Sequence, residues 1–263
     1  MLDLMFITND PFQAQDAANV NTGRIFIDLE ILGKRERQKN KDTFITDHKI
    51  DDVRSIKHAI NDYPLMVRIN PINTGSRSEI EQCINSGATT IMLPMFQSVG
   101  EVEKFVEYVD GRANVCLLLE TPQALCRVHE IVSVKGIDEI HVGINDLHIG
   151  MHLDFMFELL SGGIIDYIAD AVKCKGIRFG FGGIAKVGQG IVPAEMIIGE
   201  HYRIGSEMAI LSRSFRDNNE NGIRNEIDKI RKVEKEILNW SESDFDHNRK
   251  NLIKTVNAYV SAL

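Results

Sequence analysis

Two carboxylates stand just past short apolar runs. Glu120 follows Leu118-Leu119, and Asp146 closes Val142-Gly143-Ile144-Asn145-Asp146. An acid there is awkward for a core and useful for a hard divalent cation, which takes oxygen ligands from a rigid frame. With water completing the shell, the pair suits Mg²⁺ or Mn²⁺ better than zinc, which prefers nitrogen and sulfur. The competing expectation is that each acid caps a following helix, with Asn145-Asp146 starting a turn at Leu147.

Arg68 ends a third apolar run, Val67-Arg68-Ile69-Asn70. A guanidinium buried without an anion is costly, so it should clamp a carboxylate or a developing enolate oxygen. A salt bridge to Asp28 or Glu30 is compatible with that task. Gly182-Gly183 and Ile204-Gly205-Ser206 read as two glycine turns at strand ends, able to turn backbone N–H groups toward an anion. Among the histidines, His48 in Asp47-His48 is a candidate base. His141 should point opposite to Val142 as a core histidine with a partner, and His148 should lie nearer the site.

These residues need a frame that brings distant strand ends together. The candidate strands are 4–8, 24–29, 65–69, 90–94, 115–120, 139–143, 178–182 and 202–205. All are short and rich in Ile, Val, Leu and Phe, as strands buried on both faces should be. The segments between them carry helical spacing: Val99, Val102, Phe105, Val106 and Val109 share one face over 98–109, and another helix is expected around 163–175. Eight strands alternating with helices over about 210 residues predict a (β/α)₈ TIM barrel rather than a doubly wound open sheet. Its rim would carry Asp28, Glu30, Arg68, Asn70, Pro94, Met95, Glu120, Asn145, Asp146, Gly182, Gly183, Ser206 and Glu207.

The barrel is expected over residues 1–216, the catalytic part. Residues 217–263 form a C-terminal helical extension. There Ile223, Ile227, Ile230, Val233 and Ile237 make one stripe, and Leu252, Ile253, Val256 and Val260 another, with Ser243 and Asp246 read as a capping box. These stripes must pack under the barrel or on another subunit, and a homo-oligomer is expected. A net charge of −8 argues against nucleic acid as the main partner. Four cysteines without metal-ligand spacing, no basic leader before an apolar run and no membrane-length apolar stretch fit a soluble, cytoplasmic protein.

Asp28-Leu29-Glu30, Val67-Arg68-Ile69-Asn70, Ile91-Met92-Leu93-Pro94-Met95, Leu119-Glu120-Thr121 and Gly143-Ile144-Asn145-Asp146-Leu147 follow in a recognisable order and spacing. Over roughly residues 4–215 the chain resembles the HpcH/HpaI aldolase and citrate lyase β-subunit family. The resemblance implies a TIM barrel using Mg²⁺ (or Mn²⁺) for carbon–carbon lyase chemistry on a 2-oxo or hydroxy acid, or its CoA thioester. It places the metal on Glu120 and Asp146 and the substrate on Arg68. Asp28, Glu30, Asn70, Pro94, Met95, Asn145, Gly182 and Gly183 are expected to contact substrate. The chain departs from the family after strand two: Ile31 stands where citrate lyase relatives carry a further acid, and the Gly-Glu-His of HpaI-like relatives is missing. His48, Lys34 or Arg37 from the following loop are the candidates to replace that group. Two rival readings are a phosphate-binding isomerase or synthase barrel, and a non-catalytic barrel that binds an acyl carrier.

Overall fold

Side chains alternate between the two faces of a strand, and here the inward row changes character along its length. In Gly23–Asp28, Ile25 and Ile27 pack outward against helices, while Arg24, Phe26 and Asp28 share the other face. One strand thus supplies a charge at the barrel's base, an apolar plug at its middle and a carboxylate at its mouth.

The structure is a computed structural model that describes residues 1–33, 48–216 and 222–263. Its strands are β1 (Asp3–Ile7), β2 (Gly23–Asp28), β3 (Leu65–Arg68), β4 (Thr90–Leu93), β5 (Asn114–Leu119), β6 (Glu139–Val142), β7 (Arg178–Ile184) and β8 (Met208–Leu211). All pair in parallel in sequence order, and β8 closes on β1 with Asp3 opposite Met208. The helices are α1 (Pro11–Asn19), α2 (Ile50–Ile60), α3 (Ser76–Asn85), α4 (Val99–Val109), α5 (Pro122–Cys126) and α6 (Val128–Ile131). Then come α7 (Ile144–Gly150), α8 (Glu158–Ser161), α9 (Ile164–Lys173) and α10 (Ala194–Ile204). A 3₁₀ turn, Arg213–Arg216, follows β8 and leads to α11 (Gly222–Ile237) and α12 (Glu242–Val260). The (β/α)₈ barrel with a helical C-terminal extension is therefore the fold.

Met5, Phe26, Met66, Met92, Cys116, Leu118 and Met208 fill the lumen, separate from the larger layer between strands and helices. Below them lies an ion cluster. Arg24 Nη1 donates to Glu139 Oε2 at 2.7 Å and Arg178 Nη1 to Glu139 Oε1 at 2.6 Å, while Asp3 bonds Arg24.

The extension packs on the same chain. Ile227, Ile230 and Ile237 of α11 are buried, as are Leu252 and Val256 of α12, each such side chain stabilising by about 1.5–3 kcal/mol. Glu234 of α11 accepts the Leu2 N–H at 2.6 Å, and Arg231 donates to the Leu2 carbonyl at 2.9 Å. On α12, Asn248 and Arg249 bond Glu200 of α10 at 3.1 and 3.2 Å.

Three expectations need correction. Residues 202–205 are the last turn of α10, and Gly205 caps that helix at φ +75°; the eighth strand is Met208–Leu211. Gly199 inside α10 mimics strand punctuation but serves packing, since a Cβ there would lie 2.8 Å from both Trp240 and Asn248 atoms. The cap of α12 is Ser241 with Asp244, two residues before the expected pair. Both Ser-x-x-Asp frames occur in the sequence, and the earlier one sits where Trp240 ends the preceding turn. Strand seven runs on to Ile184, so Gly182 and Gly183 lie within it at a register shift rather than beyond it.

Candidate functional site

A cleft of about 610 Å³ opens at the strands' C-terminal ends and gathers Asp28, Arg68, Glu120, Asn145, Asp146, Gly182 and Gly183 on its wall. Asp28 and Arg68 are register partners on β2 and β3. The guanidinium grips that carboxylate with two parallel bonds, Nε to Oδ1 and Nη2 to Oδ2, both 2.8 Å. Glu30 Oε2 stands 3.5 Å from Nε, and the guanidinium carbon lies 5.8 Å above the Phe26 ring. Burial works against the Arg68 charge, but Asp28, Glu30 and Glu120 more than offset it and hold its pKa well above the ordinary value.

Glu120 follows β5 and is buried. Its Oε1 accepts the N–H of Met95, whose φ of +55° turns that N–H toward β5. The neighbouring Gly143 makes room: a Cβ there would stand 2.6 Å from Glu120 Oε2. Asp146 lies in the first turn of α7, which begins at Ile144. Asn145 and Asp146 are thus inside the helix and do not cap a turn at Leu147.

The remaining candidates have other duties. Asn70 is a clamp: its Oδ1 accepts Ile31 N–H and Leu32 N–H at 2.9 and 3.0 Å, and its amide donates to Glu79 at 2.8 Å. Met95 spends its N–H on Glu120, and Pro94 has none to give, so neither presents a donor to a substrate carboxylate. His48 is buried outside the cleft wall, and its Nδ1 accepts the Asp28 N–H at 3.0 Å, so that nitrogen carries no proton. Lys34, Arg37 and Asp47 lie outside the described residues.

His141 is buried in the cleft wall, with Nε2 3.1 Å from the Gly182 carbonyl. Bonding a carbonyl makes Nε2 the donor, and burial pushes the ring's pKa down to about 3. It is therefore a neutral imidazole whose Nδ1 lone pair meets no hydrogen-bond partner among the described residues. His148 bonds the Ile144 carbonyl of its own helix at 3.2 Å and does not line the cleft.

Ser206 and Glu207 precede β8, so they sit at the base and not on the rim. Ser206 bonds His201 at 2.8 Å, and Gly205 caps a helix, so the eighth-strand half of the expected glycine corner is absent. The rim there carries Ser212, Arg213 and Arg216, which the sequence reading missed. Also missed were two apolar walls, Phe155-Met156-Phe157 after α7 and Ile191-Val192 before α10. Placing strand eight on the run Met208-Ala209-Ile210-Leu211 would have put the arginines on the rim.

The class is thus a parallel (β/α)₈ barrel with two acids and an acid-held arginine at its mouth. The chain belongs to the HpcH/HpaI aldolase/citrate lyase family, a family of metal-dependent aldolases and lyases, whose model matches residues 8–158. Among curated proteins none matches this sequence significantly. The solved structures it resembles include an HpcH/HpaI aldolase from Desulfitobacterium hafniense DCB-2, at 15% identity and a TM-score of 0.61, covering 89% of this chain and 93% of that one. The citrate lyase β subunit of M. tuberculosis, complexed with oxaloacetate and magnesium, gives 16% and 0.59, covering 89% and 96%. The protein CitE of Mycobacterium tuberculosis, complexed with magnesium and pyruvate, gives 16% and 0.61, covering 96% and 97%. Among the described residues no helix is long and apolar enough to cross a membrane.

Proposed function

We propose that this protein is a divalent-metal-dependent carbon–carbon lyase or aldolase that acts on a 2-oxo or hydroxy acid, or on its thioester. The observation that carries this is the convergence of Glu120, Asp146 and the Asp28-held Arg68 on one cleft. The donor set fits Mg²⁺, with Mn²⁺ as the alternative. Two carboxylates without sulfur or imidazole are what such a cation takes from a protein, the rest of its shell being water and substrate oxygens. Gly143 leaves the space beside Glu120 Oε2 that this fit requires. When bound by Glu120 and Asp146, the cation supplies Lewis acidity and charge neutralisation at the carboxylate and oxo oxygens.

The chain's own residues do the rest. As the C–C bond breaks, its electron pair moves onto the oxo-acid half, where negative charge grows on the oxo oxygen, while the other half becomes a carbonyl as its hydroxyl proton passes to solvent. Arg68, unable to lose its proton among three acids, stabilises the charge, a task worth about 3–4 kcal/mol for one well-placed donor. Asp28 holds the guanidinium plane by both oxygens, and Asp28 in turn is fixed through its backbone by His48. Phe155, Met156, Phe157, Ile191 and Val192 give the same cleft an apolar side against which the carbon skeleton packs.

Calorimetric titration of Mg²⁺ tests this reading, with and without oxalate, on the wild type and Asp146→Ala. Oxalate should tighten the metal, and the variant should lose both responses. A wild type that binds no divalent cation, or a variant that binds it unchanged, would sink the assignment.

A further inference from the structure

Beyond the end of β2 the pairing with β3 continues for one more bond, from the Leu29 N–H to the Arg68 carbonyl at 2.9 Å. Two residues after Arg68, the Asn70 side chain takes over from the ladder. Its Oδ1 accepts the N–H groups of Ile31 and Leu32 at 2.9 and 3.0 Å. Apolar burial does not fix those two residues, which are 59% and 48% exposed, so backbone hydrogen bonds set the path of the chain there. Just before them comes Glu30, which is buried. Its N–H donates to Asp28 Oδ1 at 3.2 Å, and its carboxylate stands 3.5 Å from Arg68 Nε.

Asn70 can serve two N–H groups only with its amide one way round, and Glu79 decides which way. Glu79 Oε1 accepts both the Asn70 N–H at 3.1 Å and the Asn70 Nδ2–H at 2.8 Å. A flipped amide would set its NH₂ against two donors and its oxygen against a carboxylate. The intervening turn brings Glu79 back onto Asn70. Asn73 Oδ1 accepts the Gly75 N–H at 2.7 Å, the Asn73 N–H donates to Ser76 Oγ at 2.9 Å, and Glu79 falls in the first turn of α3. Neither Asn70 nor Glu79 lines the cleft.

We propose that Glu79 and Asn70 are positioning residues for Arg68. Acting from behind the cleft wall, they fix the chain that carries Glu30, and through Glu30 and Asp28 they hold the guanidinium in place. What Arg68 binds rests on the lyase reading; the relay that reaches Arg68 does not.

A swap of the amide and the acid tests the relay. Asn70→Asp keeps an oxygen for Ile31 and Leu32 but sets a carboxylate against Glu79. Adding Glu79→Gln returns a donor to the pair. In metal-free protein the Arg68 Nε–H is followed by NMR, its signal identified by its loss in Arg68→Lys. Asn70→Asp should make that proton exchange with water several-fold faster, and the double variant should restore most of the protection. Calorimetry with Mg²⁺ and oxalate is the second arm. Asn70→Asp should weaken oxalate about tenfold or more, with Mg²⁺ affinity unchanged because Glu120 and Asp146 lie off the relay. The double variant should again recover. If Asn70→Asp does not fold, Glu79→Ala frees the same amide and should shift both readouts the same way by less. Unchanged Nε–H exchange, unchanged oxalate affinity, or a double variant no better than the single would overturn the inference. Faster exchange in Asn70→Asp, beside a wild type that takes up no Mg²⁺ or oxalate, would support the relay and sink the lyase reading alone.

Discussion

The barrel carries buried charge at both ends, and the two ends are built differently. At the base, Arg24 and Arg178 face Asp3 and Glu139, two cations on two acids, with Glu139 bonded to both arginines. At the mouth, Arg68 stands among Asp28, Glu30 and Glu120, and Glu120 accepts the backbone N–H of Met95. The base balances its charges internally and closes the lumen. The mouth gathers Asp28, Glu30 and Glu120 around Arg68 and opens into a cleft. Parity along the strands produces both: Arg24, Phe26 and Asp28 are alternate residues of one strand, so the inward row reaches charge at each end.

The comparison breaks most severely if the base proves dispensable. Glu139→Ala removes the shared partner of two arginines, and stranding buried charge costs about 3–5 kcal/mol. Urea unfolding should show that loss, whereas Glu120→Gln at the mouth should stay far closer to the wild type while losing the metal. Equal stability losses would erase the distinction between the ends.

Gly143→Ala sharpens it on a smaller scale. The backbone there has an ordinary φ of −79°, so the cost comes from the new methyl meeting Glu120 Oε2. We expect about 1–3 kcal/mol of destabilisation from overpacking. On the proposed reading of Glu120 as a metal ligand, displacing it through its neighbour should also weaken Mg²⁺ about 10- to 100-fold. A variant with wild-type metal affinity would show that Glu120 does not hold the ion from this position.

A further contrast, read along the pH axis rather than at one condition, concerns His141. Its pKa is depressed from 6.5 to about 3 in the folded protein. The unfolded chain therefore binds a proton that the folded one refuses, so this stability is present above about pH 6.5 and is lost as pH falls toward 3. The slope is at most about 1.4 kcal/mol per pH unit within that window. His141→Gln should flatten the stability curve between pH 6 and 4, and an unchanged slope would place the acid sensitivity elsewhere, His201 being the next group held low by burial.

Seven of the eight strands were legible in the sequence because each is one apolar run ended by a polar residue or a glycine. The eighth was not, because α10 carries the run Met196-Ile197-Ile198, a packing glycine at 199 and a capping glycine at 205. Local pattern cannot tell a glycine that admits Trp240 from one that ends a strand. The acids and Arg68 were legible because charge at a strand end is costly without a partner. Asn70 and Met95 were not, since their contacts, with Ile31 and Glu120, depend on loops meeting across the rim. The apolar walls lacked any signal beyond hydrophobicity, which the core shares.

The bond between Leu2 and Glu234 joins positions 232 residues apart. A ribosome adding 5–20 residues per second needs roughly 10–50 s to deliver the second after the first. Through that interval β1 waits as an open sheet edge, its β8 partner also unmade. Barrel closure therefore waits until β8 has been made, and the helix that emerges after β8 ties the first strand down.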